Sequence, residues 1–121
     1  MKKVLIVEDE AALQDALKQA FTAEGYEISQ AFDGEEGIKM VKEIKPDIVL
    51  LDLILPKKHG FEVLQAIKGD EAIKDIPVLV LTNLEESTEV MKAIELGARG
   101  YLVKANYALK EVLAKVKDVL G

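Results

Sequence analysis

Four places in this 121-residue sequence carry side chains that could do chemistry together. Glu8-Asp9-Glu10 follows the apolar run Val4-Leu5-Ile6-Val7, and Asp52 follows Ile48-Val49-Leu50-Leu51. Thr82 follows Val78-Leu79-Val80-Leu81, and Lys104 follows Gly100-Tyr101-Leu102-Val103. An acid cluster, a lone acid, a hydroxyl and a cation thus stand each at the end of a short apolar run. Acids gathered in one crevice repel, and protonation or a cation must relieve them. A donor set made of oxygens alone, without histidine or cysteine, favours a hard ion such as Mg²⁺ or Mn²⁺. A carboxylate held at a rigid strand end can also act as a nucleophile and form an acyl phosphate.

These residues meet only if the elements that carry them run side by side. Short continuous apolar runs read as strands buried on both faces, which gives Val4–Val7, Ile48–Leu51 and Val78–Leu81. Tyr26–Ala31 and Gly100–Val103 read as edge strands. Helical spacing fills the intervals. Leu13, Ala16, Leu17, Ala20 and Phe21 form one stripe closed by Gly25. Gly37, Ile38, Val41 and Ile44 form a second, opened by Asp33 as N-cap with Glu36 three residues on, and stopped before Pro46. Val63, Leu64 and Ile67 mark a third helix, and Val90, Ala93 and Ile94 a fourth closed by Gly97. Leu109, Val112, Leu113, Val116 and Leu120 mark the last, with Asn106 as its expected cap.

Strands that alternate with helices imply a parallel sheet. Three interior and two edge strands fit the order 2-1-3-4-5, a flavodoxin-like, doubly wound α/β/α sandwich. In that topology ligands sit beyond the carboxyl ends of the strands, where the first and third diverge. Adjacent strands lie about 4.8 Å apart, so Glu8 and Asp9 are expected to be close neighbours of Asp52. Any one of these acids, taken alone, reads more simply as a solvated loop residue or helix cap. Lys104 alone reads as a surface lysine and Thr82 as an ordinary β-branched strand residue. The joint placement carries the chemical reading.

Composition narrows the classes. Half of the residues are apolar, enough for a core at this length, and one domain over 1–121 is expected. No apolar run approaches the ~20 residues that span a bilayer, and the run after Met1-Lys2-Lys3 is too short for a secretory signal. There is no cysteine, which excludes disulfides and thiolate metal sites. A cytoplasmic protein is the expectation. The net charge is −6 and Arg99 is the only arginine, which argues against direct nucleic-acid binding by this domain.

With these residues in order, the sequence resembles the receiver domain of two-component response regulators over nearly its whole length. The resemblance rests on Val4–Glu10, on Asp47–Pro56 with Gly60, on Val78–Thr82, and on Gly97-Ala98 with Gly100–Lys104. Each motif is weak alone, and their order and spacing together are specific. The resemblance implies that Asp52 is the phosphoacceptor. It implies Asp9, Asp52 and the backbone carbonyl of Ile54 as direct ligands of Mg²⁺ (or Mn²⁺), with Glu8 acting mainly through water. Lys104 would pair with the phosphoryl group, Thr82 would be the switch hydroxyl, and Tyr101 the aromatic that rotates with it. Pro56 and Gly60 would shape the loop into the third helix. Receivers usually have proline after the lysine, joined by a cis bond, and here Ala105 stands there. A cis bond without proline costs about 2.5–4 kcal/mol, so the bond is either cis and held by tertiary contacts or trans with Lys104 seated differently.

The implied function is a phosphoacceptor switch, not an enzyme with turnover, that assists its own phosphorylation and dephosphorylation. A histidine kinase or phosphotransfer protein would donate the phosphoryl group. It would dock on the first helix, around Ala11, Gln14, Asp15 and Lys18, and on the loop Leu53–Pro56. Phosphorylation would change the face made by the fourth helix, fifth strand and fifth helix, a face through which some regulators form homodimers. His59, the only histidine, reads as a loop or first-turn residue at the site mouth. Three rivals stand. A haloacid-dehalogenase-type phosphatase needs a second acid where Ile54 stands. A flavin or nucleotide binder needs a phosphate-cradling loop where Glu8-Asp9-Glu10 stands. A receiver-like interaction module that works without phosphate is favoured by Ala105. The sequence reads equally as a complete single-domain regulator or as a receiver from a longer protein.

Overall fold

A computed structural model describes residues 1–82, 87–103 and 109–121. Five strands and five helices alternate: β1 (Lys3–Val7), α1 (Ala11–Ala23), β2 (Glu27–Ala31), α2 (Gly34–Ile44), β3 (Ile48–Asp52), α3 (Gly60–Lys68), β4 (Val78–Thr82), α4 (Ser87–Glu95), β5 (Gly100–Val103) and α5 (Leu109–Leu120). All strand pairs are parallel, in the order β2-β1-β3-β4-β5. The expected sandwich and strand order are therefore present. Three apolar runs are one residue shorter than their strands, since β1 includes Lys3, β3 includes Asp52 and β4 includes Thr82.

Period-two alternation sorts the core into two layers, one on each face of the sheet. Leu5, Val7, Val49, Leu51, Val78 and Val80 pack with Val41 of α2, Val63, Leu64 and Ile67 of α3, and Ala93 of α4. Val4, Ile6, Ile48, Leu50, Leu79 and Leu81 pack on the other face with Leu17 and Phe21 of α1 and Val112 and Val116 of α5. Both layers are apolar and close-packed, so β1, β3 and β4 are held rigidly up to the residues that follow them. The edge strand β2 is only partly buried until Ala31. No helix among the described residues is long and apolar enough to cross a membrane.

Helix caps fix the loops at both edges of the sheet. The Asp33 side chain accepts from the backbone N–H of Glu36 at 2.8 Å, as the spacing predicts. Glu36 in turn accepts from the N–H of Phe32 at 3.1 Å, one residue short of the reciprocal partner of a standard capping box. Gly25 and Gly97 follow α1 and α4 with φ of +90° and +107°, the left-handed region where a side chain is strained. His59 caps α3: its Nδ1 accepts from the N–H of Phe61 at 3.0 Å. His59→Ala is expected to lower the unfolding free energy by about 1 kcal/mol. His59→Asp, which restores an acceptor, should recover most of it in a urea titration. Asn106, the expected cap of α5, lies outside the described residues.

Candidate functional site

Strand register aligns the reactive positions. Val7 pairs with Leu51 across β1 and β3, so Glu8 follows one residue past Val7 as Asp52 follows one past Leu51. Asp52 pairs with Leu81, and Thr82 stands one step beyond. Thr82 pairs with Val103, the residue before Lys104. The placement at adjacent strand ends expected from the sequence is thus observed for Glu8, Asp9, Asp52 and Thr82. Lys104 and Ala105 lie outside the described residues.

The three acids converge. One carboxylate oxygen from each of Glu8, Asp9 and Asp52 lies within 4.8 Å of the others. Glu8 and Thr82 are fully buried, Asp52 is 5% exposed, and Asp9 opens to solvent. Burial of two carboxylates beside a third is costly unless charge compensation is available. The donor set is hard oxygen, it has one solvent-facing member, and it sits on rigid strand ends. These residues fit a small divalent cation that keeps several waters.

The loop after β3 is shaped by close packing. Asp52 Oδ1 lies 3.4 Å from the N–H of Ile54, a long contact, and the Ile54 side chain is 55% exposed. The backbone N–H of Gly60 donates to Leu53 O at 2.7 Å. A Cβ at Gly60 would stand 2.5 Å from Leu53 Cα and 2.7 Å from Asp52 O. Only glycine lets α3 begin this close to the backbone of Asp52. The N–H of Gly34 donates to Pro56 O at 3.2 Å and ties the same loop to α2.

The docking surface expected on α1 is corrected at one residue. Ala11, Asp15 and Lys18 are exposed as that surface requires, but Gln14 is fully buried. It stands three and seven residues before Leu17 and Phe21, the buried stripe of α1. That spacing is the available signal, obscured because the side chain is polar. Gln14 and its partner Gln30 are the residues near the site that sequence reasoning misses. Tyr101, on β5, is 45% exposed and lies in register with Val80.

The response regulator receiver domain family matches residues 4–117. The DNA-binding dual master transcriptional regulator RpaA of Synechocystis is 38% identical over 120 residues, which cover 99% of this chain and 49% of that protein. The chain spans about half the length of the curated relatives it matches. Among solved structures, the chemotaxis response regulator CheY4 of Vibrio cholerae superposes with a TM-score of 0.92 at 28% identity, covering 98% of both chains. The Mn(2+)-bound form of response regulator Rcp1 superposes with a TM-score of 0.83 at 32% identity, covering 98% of this chain and 91% of that one. Sequence, fold and the acid cluster agree: this chain belongs to the response-regulator receiver domain family, the phosphoacceptor switches of two-component signalling.

Proposed function

We propose that Asp52 is the phosphoacceptor and that Glu8, Asp9, Asp52 and the backbone carbonyl of Ile54 hold Mg²⁺. The observation that carries this is the convergence of three carboxylates within 4.8 Å at the ends of β1 and β3. A bound Mg²⁺ would neutralise and align the incoming phosphoryl group. The other roles fall to the chain. An Asp52 oxygen attacks phosphorus, and the bond from phosphorus to the donor breaks. Lys104 pairs with a phosphoryl oxygen as a point charge. Thr82 donates its hydroxyl to another. The Mn(2+)-bound Rcp1 relative supports a divalent ion in this crevice.

The donor in the cell is a histidine kinase or phosphotransfer protein, met in the cytoplasm, that docks on Ala11, Asp15 and Lys18 of α1 and on the loop 53–56. Incubation with Mg²⁺ and acetyl phosphate tests the reading. One phosphoryl group per chain, held on the protein, is the expected result. No uptake would leave the phosphate-independent interaction module, and rapid release of free phosphate would indicate an enzyme.

The output is a population shift. Phosphorylation replaces the single charge of the Asp52 carboxylate with a phosphoryl group that carries about two negative charges and three acceptor oxygens, and Thr82 moves toward it. Tyr101 then turns inward, changing the α4-β5-α5 face, where Met91 and Ile94 are also exposed. That face is the proposed homodimer contact. Thr82→Ala is expected to take up phosphate but to lose most of the change in amide exchange across α4 and β5. An undiminished change would break the proposed coupling between Thr82 and that face.

A further inference from the structure

Gln14 is a fully buried polar side chain next to the site, engaged at both ends of its amide. Its Nε2 lies 3.0 Å from Ile6 O, 3.1 Å from Glu8 O and 2.9 Å from Ala31 O. An amide nitrogen has two protons, so these three carbonyls share them. The amide orientation is fixed by Gln30, whose Nε2 donates to Gln14 Oε1 at 3.1 Å and to Gln14 O at 3.2 Å. Turned the other way, Gln14 Oε1 would face three carbonyl oxygens and Gln30 would lose its acceptor. Gln14 therefore joins three segments: the end of β1, the end of β2, and the first residue of the acid cluster.

The consequence falls on Glu8 and Asp9. Glu8 is pinned at three points. Its N–H donates to Ala31 O at 3.0 Å, its carbonyl accepts from Gln14, and its side chain accepts from the N–H of Glu10 at 3.0 Å. The peptide between Glu8 and Asp9 is planar, so fixing the Glu8 carbonyl fixes the plane from which Asp9 leaves the strand. Asp9 is exposed and sits beside two other carboxylates, so repulsion pushes it outward into water. A neutral amide is suited to oppose this. It restrains the backbone through hydrogen bonds and adds no charge that would compete for the cation.

We propose that Gln14, oriented by Gln30, is a positioning residue that holds Glu8 and Asp9 in the arrangement a divalent cation needs and so raises its affinity. The inference rests on the reading of the acid cluster as a metal site. Groups that fix the ligands of a metal typically contribute about 10-fold or more to affinity.

The test is a Mn²⁺ titration of the intact chain, followed by the electron paramagnetic resonance signal of free aqueous Mn²⁺. Gln14→Met keeps shape and volume but donates nothing, and should weaken binding about 10-fold. Gln30→Leu leaves the three carbonyl contacts but frees the amide, and should weaken binding by a smaller factor, about 3-fold. It carries the test alone should Gln14→Met fail to fold. Val116→Ala, in α5 and remote from the acids, lowers stability and should leave Mn²⁺ affinity as in the wild type. In phosphorylation by acetyl phosphate, Gln14→Met should raise the Mg²⁺ concentration for half-maximal rate and keep the rate at saturating Mg²⁺. Wild-type affinity in the Gln variants overturns the proposal, as does an equal loss in Val116→Ala, which would mean general loosening. Absence of binding by the wild type would instead overturn the metal-site reading beneath it.

Discussion

Asp52→Asn is expected to take up no phosphoryl group from acetyl phosphate under conditions where the wild type takes up one. The substitution replaces one carboxylate oxygen with an amide nitrogen and keeps the shape of a side chain that is almost entirely buried. Asparagine offers no anionic oxygen to attack phosphorus, so the loss should be complete rather than graded. Unfolding or a lost cation could also abolish uptake, and each leaves its own mark. Unfolding would appear as a collapsed thermal transition, which a near-isosteric change at a strand end should not produce. Loss of the cation alone would slow uptake but leave it detectable at raised Mg²⁺. Asp9→Asn provides that comparison, because it removes a ligand and spares the nucleophile. Borohydride reduction of the acyl phosphate followed by peptide mapping should place the modification in the peptide that contains Asp52. Full uptake by Asp52→Asn, or a label mapped to Glu8 or Asp9, would move the phosphoacceptor elsewhere in the cluster.

The parts of this molecule that are legible in the sequence are those governed by one strong local signal. Val4–Val7, Ile48–Leu51 and Val78–Leu81 are apolar on both faces, and only a central parallel strand buries both. Asp33, with Glu36 three residues on, signals the start of α2 and is observed as its cap. The acids at the ends of β1 and β3 are legible because strand order and parallel register together leave few places for them to point. What escapes are polar side chains with long-range partners. Gln14 sits in α1 at a position whose spacing fits the core stripe, yet its polarity reads as solvent exposure. Its burial is explained only by carbonyls on β1 and β2 and by Gln30, a residue sixteen positions away. His59 as the cap of α3 is likewise only loosely placed by sequence, since histidine is not among the usual capping residues and the use of Nδ1 as an acceptor depends on local geometry. A buried polar group is set by the sum of its partners, and those partners come together only in the folded chain.

The same crowding of acids predicts a substitution that strengthens the fold while it damages the site. Asp9→Asn should raise the unfolding free energy in metal-free buffer. Two unit charges within 4.8 Å of each other repel by about 3 kcal/mol or more at an effective dielectric constant of 20. Asp9 faces two such neighbours, but it is exposed, and water and salt screen much of the repulsion. A net gain of about 1–2 kcal/mol is expected, or a rise of several degrees in melting temperature for a domain of this size. Mg²⁺ should reverse the ranking. At about a hundred times its dissociation constant the cation adds about 2.7 kcal/mol to the wild type, more than that gain, and it should add little to the variant that has lost a ligand. Thermal denaturation of both proteins with EDTA and with saturating Mg²⁺ gives four values that decide the matter. Stabilisation by Asp9→Asn in EDTA, with loss of the Mg²⁺ increment, means that the protein tolerates strain at this corner to keep a cation site. A variant less stable than the wild type in EDTA would mean that Asp9 is held by favourable contacts rather than against repulsion. The pull that Gln14 and Gln30 exert on the Glu8 backbone would then have nothing to oppose.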